Sequence, residues 1–294
     1  MGGEDELTFG QKAGLKWAGF KKFMYNKEAG TVMGRNGKAW AQLLGFYTIF
    51  YLCLAAFWAA MLAVFLQTID SSRPTWNSYV STPVAAFAPA FKYEQIKYTL
   101  PWDKDSKEAK AITGPLQKIW DDLDPEKQTD LQSCPDTPNE GDKQRFCKYD
   151  RTQLGENCKP PHFGYDKGMP CIYVNLNKVW GWIPEPYSGE ENATHIAFEC
   201  GGEDADDDKV LESYTLYPAA GISFGHYPYK VGTDKEEQAR FINPIVAVQF
   251  SFELDKKIRI TCTPLAGNLK PQPGIYNSDA PVDFTVEFFI DSEK

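Results

Sequence analysis

From residue 39 to residue 69 the chain contains no Asp, Glu, Lys or Arg, and Lys38 and Asp70 close the run. Its 31 residues exceed the roughly 20 that a helix needs to cross a bilayer, so the pattern predicts one membrane-spanning helix. A cleaved signal peptide would show a short positive start and a small-residue cleavage site. Here 38 residues precede the run, which ends in "FLQTID", so an uncleaved signal-anchor is expected. Further on, Ile112, Leu116, Ile119, Trp120 and Leu123 recur at helical spacing within 105–131. Gly114-Pro115 is expected to interrupt that helix, and Asp124-Pro125 to stop it or open a second short one.

From about residue 170 the period changes to two. "CIYVNLNKVWGWI" alternates, and "VDFTVEFFI" lies near the C-terminus. "IVAVQFSFEL" and "KIRITCTPL", joined by Asp255-Lys256-Lys257, read as a hairpin with Val246, Val248, Phe250 and Phe252 on one face. The fold class expected is a single transmembrane helix plus a mainly-β, immunoglobulin-like antiparallel sandwich with one or two short helices. The domain organisation read from these shifts is a tail (1–38), the anchor (39–69), a Pro-rich extended stalk (70–104) and a disulfide-stabilised domain (105–294). Within the tail, Trp17, Phe20 and Phe23 alternate with Lys16, Lys21 and Lys22. They read either as a short amphipathic helix on a membrane surface or as a flexible basic tail. "GTVMGRNGK" is turn-rich and should end any helix before the anchor.

Charge sets orientation. The twenty residues before Ala39 hold five basic side chains, whereas the twenty from Gln67 hold only Arg73. By the positive-inside rule the N-terminus is cytoplasmic and everything beyond the anchor faces outward, a type II arrangement. Cysteine placement agrees: Cys53 lies in the span, and Cys134, Cys147, Cys158, Cys171, Cys200 and Cys262 all lie beyond it. An even count on the oxidising side suits a disulfide framework, although six cysteines allow fifteen connectivities and spacing does not choose among them. Asn192-Ala193-Thr194 is the one N-x-[ST] sequon, and it too falls outside. A net charge of −9 argues against nucleic acid as a partner.

Catalytic patterns are weak. Gly221-Ile222-Ser223-Phe224-Gly225 fits G-x-S-x-G, but a nucleophile elbow must lead into a helix, and Pro228 follows within "HYPYK". Asp206-Asp207-Asp208 fits the D-x-D pattern of glycosyltransferases, which share the type II arrangement. No apolar strand leads into it, and a solvated acidic loop is the simpler reading. His162 and His195 have no neighbours at metal-ligand spacing, and no phosphate-binding glycine loop occurs. Neither an enzyme nor a cofactor is expected. Within the anchor, Tyr47, Tyr51, Ala55, Ala59 and Ala63 form one i, i+4 row, widened by Phe46 and Phe50. An aromatic belt explains Tyr47. It does not explain Tyr51, nearer the bilayer centre, where a hydroxyl calls for a partner.

With these residues in view, the chain resembles the β-subunit family of the Na⁺,K⁺- and H⁺,K⁺-transporting P-type ATPases along nearly its whole length. The resemblance rests on Lys21-Lys22-Phe23, "FYTIFY" at 46–51 and "LQTID" at 66–70. It rests also on "FGYDKGMPCIYVNLNKVWGW" at 163–182, "HYPY" at 226–229 and "NPIVAVQF" at 243–250. It implies pairing of the six outer cysteines in order, and a non-catalytic subunit that assembles with, stabilises and traffics a catalytic α-subunit and modulates its cation affinity. It implies docking through Phe46, Tyr47, Phe50 and Tyr51 in the membrane and through Tyr227, Pro228 and Tyr229 outside. It further implies glycosylation at Asn192, a plasma-membrane location, contact with membrane lipid, and room for a small single-span regulatory subunit. Lys-Lys-Phe before the anchor is more like the sodium than the proton branch. The alternatives are a proton/potassium-pump β-subunit, a type II Golgi glycosyltransferase resting on Asp206–Asp208, and a free-standing adhesion ectodomain.

Overall fold

The computed structural model describes residues 9–75, 81–90, 95–269 and 282–292. The chain forms two compact units, Met1–Ile69 and Asp70–Lys294.

In the first unit, helix α1 (Phe9–Met24) leads into a small meander, β1 (Tyr25–Asn26), β2 (Thr31–Val32) and β3 (Arg35–Asn36), in that order across the sheet. The long helix α2 follows at once (Gly37–Gln67, 31 residues). Asn36 caps it: its side-chain oxygen accepts from the Ala39 N–H at 2.9 Å, filling one of the orphan donors of the first turn. At the other end the Thr68 N–H bonds the Phe65 carbonyl, and its hydroxyl donates to the same oxygen. At 1.5 Å per residue α2 is about 46 Å long, enough to cross the roughly 30 Å hydrocarbon core of a bilayer with residues to spare. None of its side chains is buried within the protein.

The second unit is a sandwich of two sheets. One holds β4 (Ala85–Ala88), β6 (Cys171–Leu176), β10 (Ile245–Phe252) and β8 (Leu211–Tyr217), in the order 4-6-10-8. The other holds β5 (Gln95–Leu100), β12 (Phe284–Ser292), β11 (Lys257–Leu265), β7 (His195–Gly202) and β9 (Ile222–Ser223), in the order 5-12-11-7-9. All pairs are antiparallel except β5–β12. Rings from the two sheets meet in the core: Phe288 of β12 lies 5.6 Å from Phe250 and 5.4 Å from Phe252 of β10, and Phe87 of β4 stacks on Phe284 at 4.9 Å. Helix α3 (Lys107–Asp122) and the short helices α4 (Asp207–Val210) and α5 (Lys235–Arg240) sit in the connections. Three disulfides join Cys134–Cys147, Cys158–Cys171 and Cys200–Cys262, the last between directly opposed residues of β7 and β11.

The structure departs from the sequence reading at three places. The strands read as a hairpin, β10 and β11, belong to different sheets. At their corner Asp255 adopts φ +60°, its N–H bonds the Ile290 carbonyl, and its carboxylate receives the Ser292 N–H at 2.6 Å. The link is thus tied to the end of β12, and the chain crosses between layers instead of pairing back. Second, part of the segment read as stalk supplies β4 and β5; its residues 76–80 and 91–94 lie outside the described residues. Gln95-Ile96-Lys97-Tyr98 alternates exposed and buried, a strand signal obscured by flanking prolines. Third, α3 runs through Gly114-Pro115 without a break. Ala109, Ile112 and Leu116 are buried on one face, and at about 1.5–3 kcal/mol for each large apolar side chain this offsets the roughly 3 kcal/mol cost of an internal proline.

The strand β10 is buried on both faces. Irregular segments between α3 and β6 cover its outer side: the Tyr149 hydroxyl donates to the Ile245 carbonyl at 2.7 Å, and the Gln249 amide reaches the Met169 carbonyl at 3.3 Å.

Candidate partner-binding surfaces

On α2, Phe46 stacks on Phe50 at 6.2 Å and Tyr47 on Tyr51 at 6.0 Å, while Phe46–Tyr47 and Phe50–Tyr51 meet edge to face. The i, i+4 spacing produces this four-ring ladder, because residues four apart lie one above the other on a helix. All four rings are exposed, Tyr51 at 60%. Among the described residues, neither tyrosine hydroxyl has a hydrogen-bond partner. Below the ladder Ala55, Ala59 and Ala63 continue the row with small side chains, which lets a second helix approach closely. The helix thus offers a grooved face with two donors at its broad end.

The ectodomain loop at 227–229 is different from the sequence expectation. Tyr227 is only 6% exposed, edge-on to Trp182 at 5.3 Å, and Pro228 is buried as well. These two residues anchor the loop from beneath and are nearly covered in this chain. Tyr229 does reach the surface in part: it packs on Phe241 at 4.7 Å, and the Lys178 ammonium lies 5.5 Å over its ring. Its carbonyl receives the Gly181 N–H at 2.8 Å, which fixes the loop against 180–181.

Sequence reasoning missed where this loop lies. The Ser71 carbonyl, in the first residues of the ectodomain unit, accepts from the Thr233 N–H at 2.9 Å, and a Cβ on Gly232 would stand 2.5 Å from the same oxygen. Only glycine permits that approach. The loop is thereby stapled to the point at which the chain enters the domain. Beside it opens a cleft of about 830 Å³ lined by Arg73, Lys143, Trp180, Lys230, Asp234 and Glu237, among others.

The catalytic-looking motifs have structural roles. Gly221 has φ +91°, and a Cβ there would lie 2.0 Å from the Ile196 carbonyl, so the glycine makes a tight turn into the two-residue β9. A 3₁₀ turn follows, not an α-helix, and the Ser223 hydroxyl donates to Asp136 at 2.8 Å while accepting the Gly225 N–H. In the acidic run, the Asp204 carboxylate accepts the N–H groups of Asp206 and Asp207, which holds its pKa below the ordinary carboxylate value. Asp208 accepts from the Gly202 N–H at 2.7 Å and Asp207 from the Arg259 N–H at 3.1 Å. The carboxylates knit β7, α4 and β11 together and do not converge on a common point. Asn192 and Thr194 are exposed in the turn before β7.

His226 borders a cavity of about 530 Å³ together with Asp136, Lys148, Asp150 and His195. Both its ring nitrogens are buried, and among the described residues no group, including the nearby backbone of Lys148 and Ser223, reaches either in hydrogen-bond geometry. Burial lowers its pKa below the ordinary histidine value. The neutral ring is therefore favoured in the folded state, and the unfolded chain takes up the proton first as pH falls. Ectodomain stability is expected to be complete above about pH 6.5 and to decline below it, by about 1.4 kcal/mol for each tenfold difference in proton affinity. Thermal melts of the wild type and His226→Gln across that range check this, with the variant's profile the flatter.

The sequence pattern of the sodium/potassium ATPase beta chain family matches residues 10–283. The sodium/potassium-transporting ATPase subunit beta-1 of Drosophila melanogaster is 28% identical over 97% of each chain. A probable subunit beta-3 of Caenorhabditis briggsae is 29% identical over 85% of this chain and 81% of its own. The human subunit beta-2 is 26% identical over 85% and 87%. The family match spans the anchor, every strand of the two sandwich sheets but β12, and all three disulfides, and on that ground the chain belongs to the sodium/potassium ATPase beta chain family.

Proposed function

We propose that this protein is the non-catalytic β-subunit of a sodium/potassium-transporting ATPase, assembling with the catalytic α-subunit, stabilising and trafficking it, and modulating its cation affinity. The observation that carries the reading is the family match over residues 10–283, joined to an exposed aromatic and alanine face on the one helix among the described residues that is long and apolar enough to span a membrane. Phe46, Tyr47, Phe50 and Tyr51 would dock on helices of the α-subunit, with the hydroxyls donating to groups that lipid does not supply. Outside, Tyr229, Lys230 and the adjoining cleft would meet the partner's extracellular loops. The charge bias supports a cytoplasmic N-terminus and membership of the family supports a plasma-membrane location, with Asn192 available for a glycan. A small single-span regulatory subunit would join the same assembly. Co-expression with a sodium-pump α-subunit tests the reading: surface delivery of the α-subunit should rise several-fold with this chain. No change on adding it would contradict the proposal.

A further inference from the structure

We infer that helix α1 and the meander after it form an interfacial foot that binds anionic phospholipid at the membrane surface, next to the point where α2 enters the bilayer. The inference rests on the proposed single-span arrangement with a cytoplasmic N-terminus. Trp17, Phe20 and Met24 recur at helical spacing on one face of α1, with Phe23 beside them, and they are 60%, 51%, 40% and 54% exposed in that order. Tyr25, Val32 and Met33 extend this apolar surface onto the meander, each more than two-fifths exposed. No described residue covers it, and exposed apolar surface of this extent marks an interaction site.

Two observations select an anionic bilayer as the occupant. The first is charge. Residues 9–38 carry seven basic side chains and one acidic, Glu28, and Lys22 already pairs with that glutamate at 3.5 Å. Lys21 sits over the Trp17 ring at 5.7 Å, at the edge of the apolar face, where a lysine can bury its stem and keep its head among phosphates. The second is continuity with the anchor. The Met33 N–H bonds the Met24 carbonyl at 3.1 Å, the Trp40 indole N–H donates to the Val32 carbonyl at 2.9 Å, and Asn36 both ends the meander and caps α2. No loose linker separates the foot from the spanning helix. Membrane binding by the foot is therefore intramolecular, and a weak surface helix is held at high effective concentration.

The test is amide hydrogen exchange on the full-length protein in nanodiscs of phosphatidylcholine alone and of phosphatidylcholine with phosphatidylserine. In the anionic discs, exchange across 14–24 is expected to slow by about tenfold or more relative to neutral discs. The Lys21→Glu/Lys22→Glu and Trp17→Ser/Phe20→Ser variants should each remove that protection and leave the ectodomain sheets as protected as in the wild type. Equal exchange in both lipids, or protection that survives both variants, would overturn the inference. So would protection that arises only when an α-subunit is present, because the face would then belong to that protein. Fast exchange throughout α2 would remove the spanning arrangement and this inference with it.

Discussion

The protein carrying Cys200→Ala and Cys262→Ala is expected to melt about 8–16 °C below the wild type. The bond joins opposed residues of β7 and β11 across a sequence separation of 62. Closing a loop of that length restricts the unfolded chain by about 4 kcal/mol, and a domain of this size loses about 2–4 °C for each kcal/mol. Alanine suits the test because Cys262 is fully buried and Cys200 nearly so, and a serine hydroxyl would add its own desolvation cost. The two other disulfides each span a separation of 13 and contribute about 3 kcal/mol by the same argument. Their alanine pairs should therefore melt above the Cys200/Cys262 pair. Thermal unfolding followed by circular dichroism in detergent checks the order. A shift below about 2 °C for the long-loop bond would mean that the β7–β11 pairing, not the cross-link, holds this sheet together.

The second large effect is expected in the membrane. Tyr47→Ala/Tyr51→Ala removes two rings and two hydroxyls from the face proposed to dock on the α-subunit. An interhelical hydrogen bond in a membrane contributes about 0.6–1.7 kcal/mol, and aromatic packing about 0.5–1.5 kcal/mol per pair. A combined loss of about 2 kcal/mol corresponds to a roughly thirtyfold weaker association. Tyr47→Phe/Tyr51→Phe keeps the ladder and loses only the hydroxyls, so its effect should be several-fold smaller. Quantitative co-purification with a fixed amount of α-subunit distinguishes the two. Equal and negligible losses would place the contact on another face of α2.

The anchor was legible because a spanning helix imposes a one-dimensional rule, an unbroken apolar run, that needs no knowledge of neighbours. The tyrosine row was legible for the same reason, since i, i+4 spacing fixes a shared face on any helix. The hairpin misreading has the opposite cause. Whether β10 turns back on itself or crosses to the other sheet depends on Asp255 binding the far end of β12, and that pairing is invisible in a local window. Tyr227 and Pro228 stand in a stretch that looks like exposed turn chemistry, yet Trp182, forty-five positions earlier, folds over Tyr227. The stapling of Gly232 to Ser71 joins positions still farther apart, and only the close approach to a carbonyl shows why that residue is glycine. The acidic run illustrates the same limit: it reads as a solvated loop until the backbone partners of its carboxylates on three different elements are seen.

If this chain is the non-catalytic half of a pump, it should leave its native membrane bound to its partner. Gentle detergent extraction of the tagged protein from its native membrane, with the mass of the intact complex measured, tests it most directly. A single dominant species containing this chain and a P-type ATPase α-subunit at one to one is expected. Recovery of the chain alone, under conditions that keep other membrane complexes whole, would contradict it.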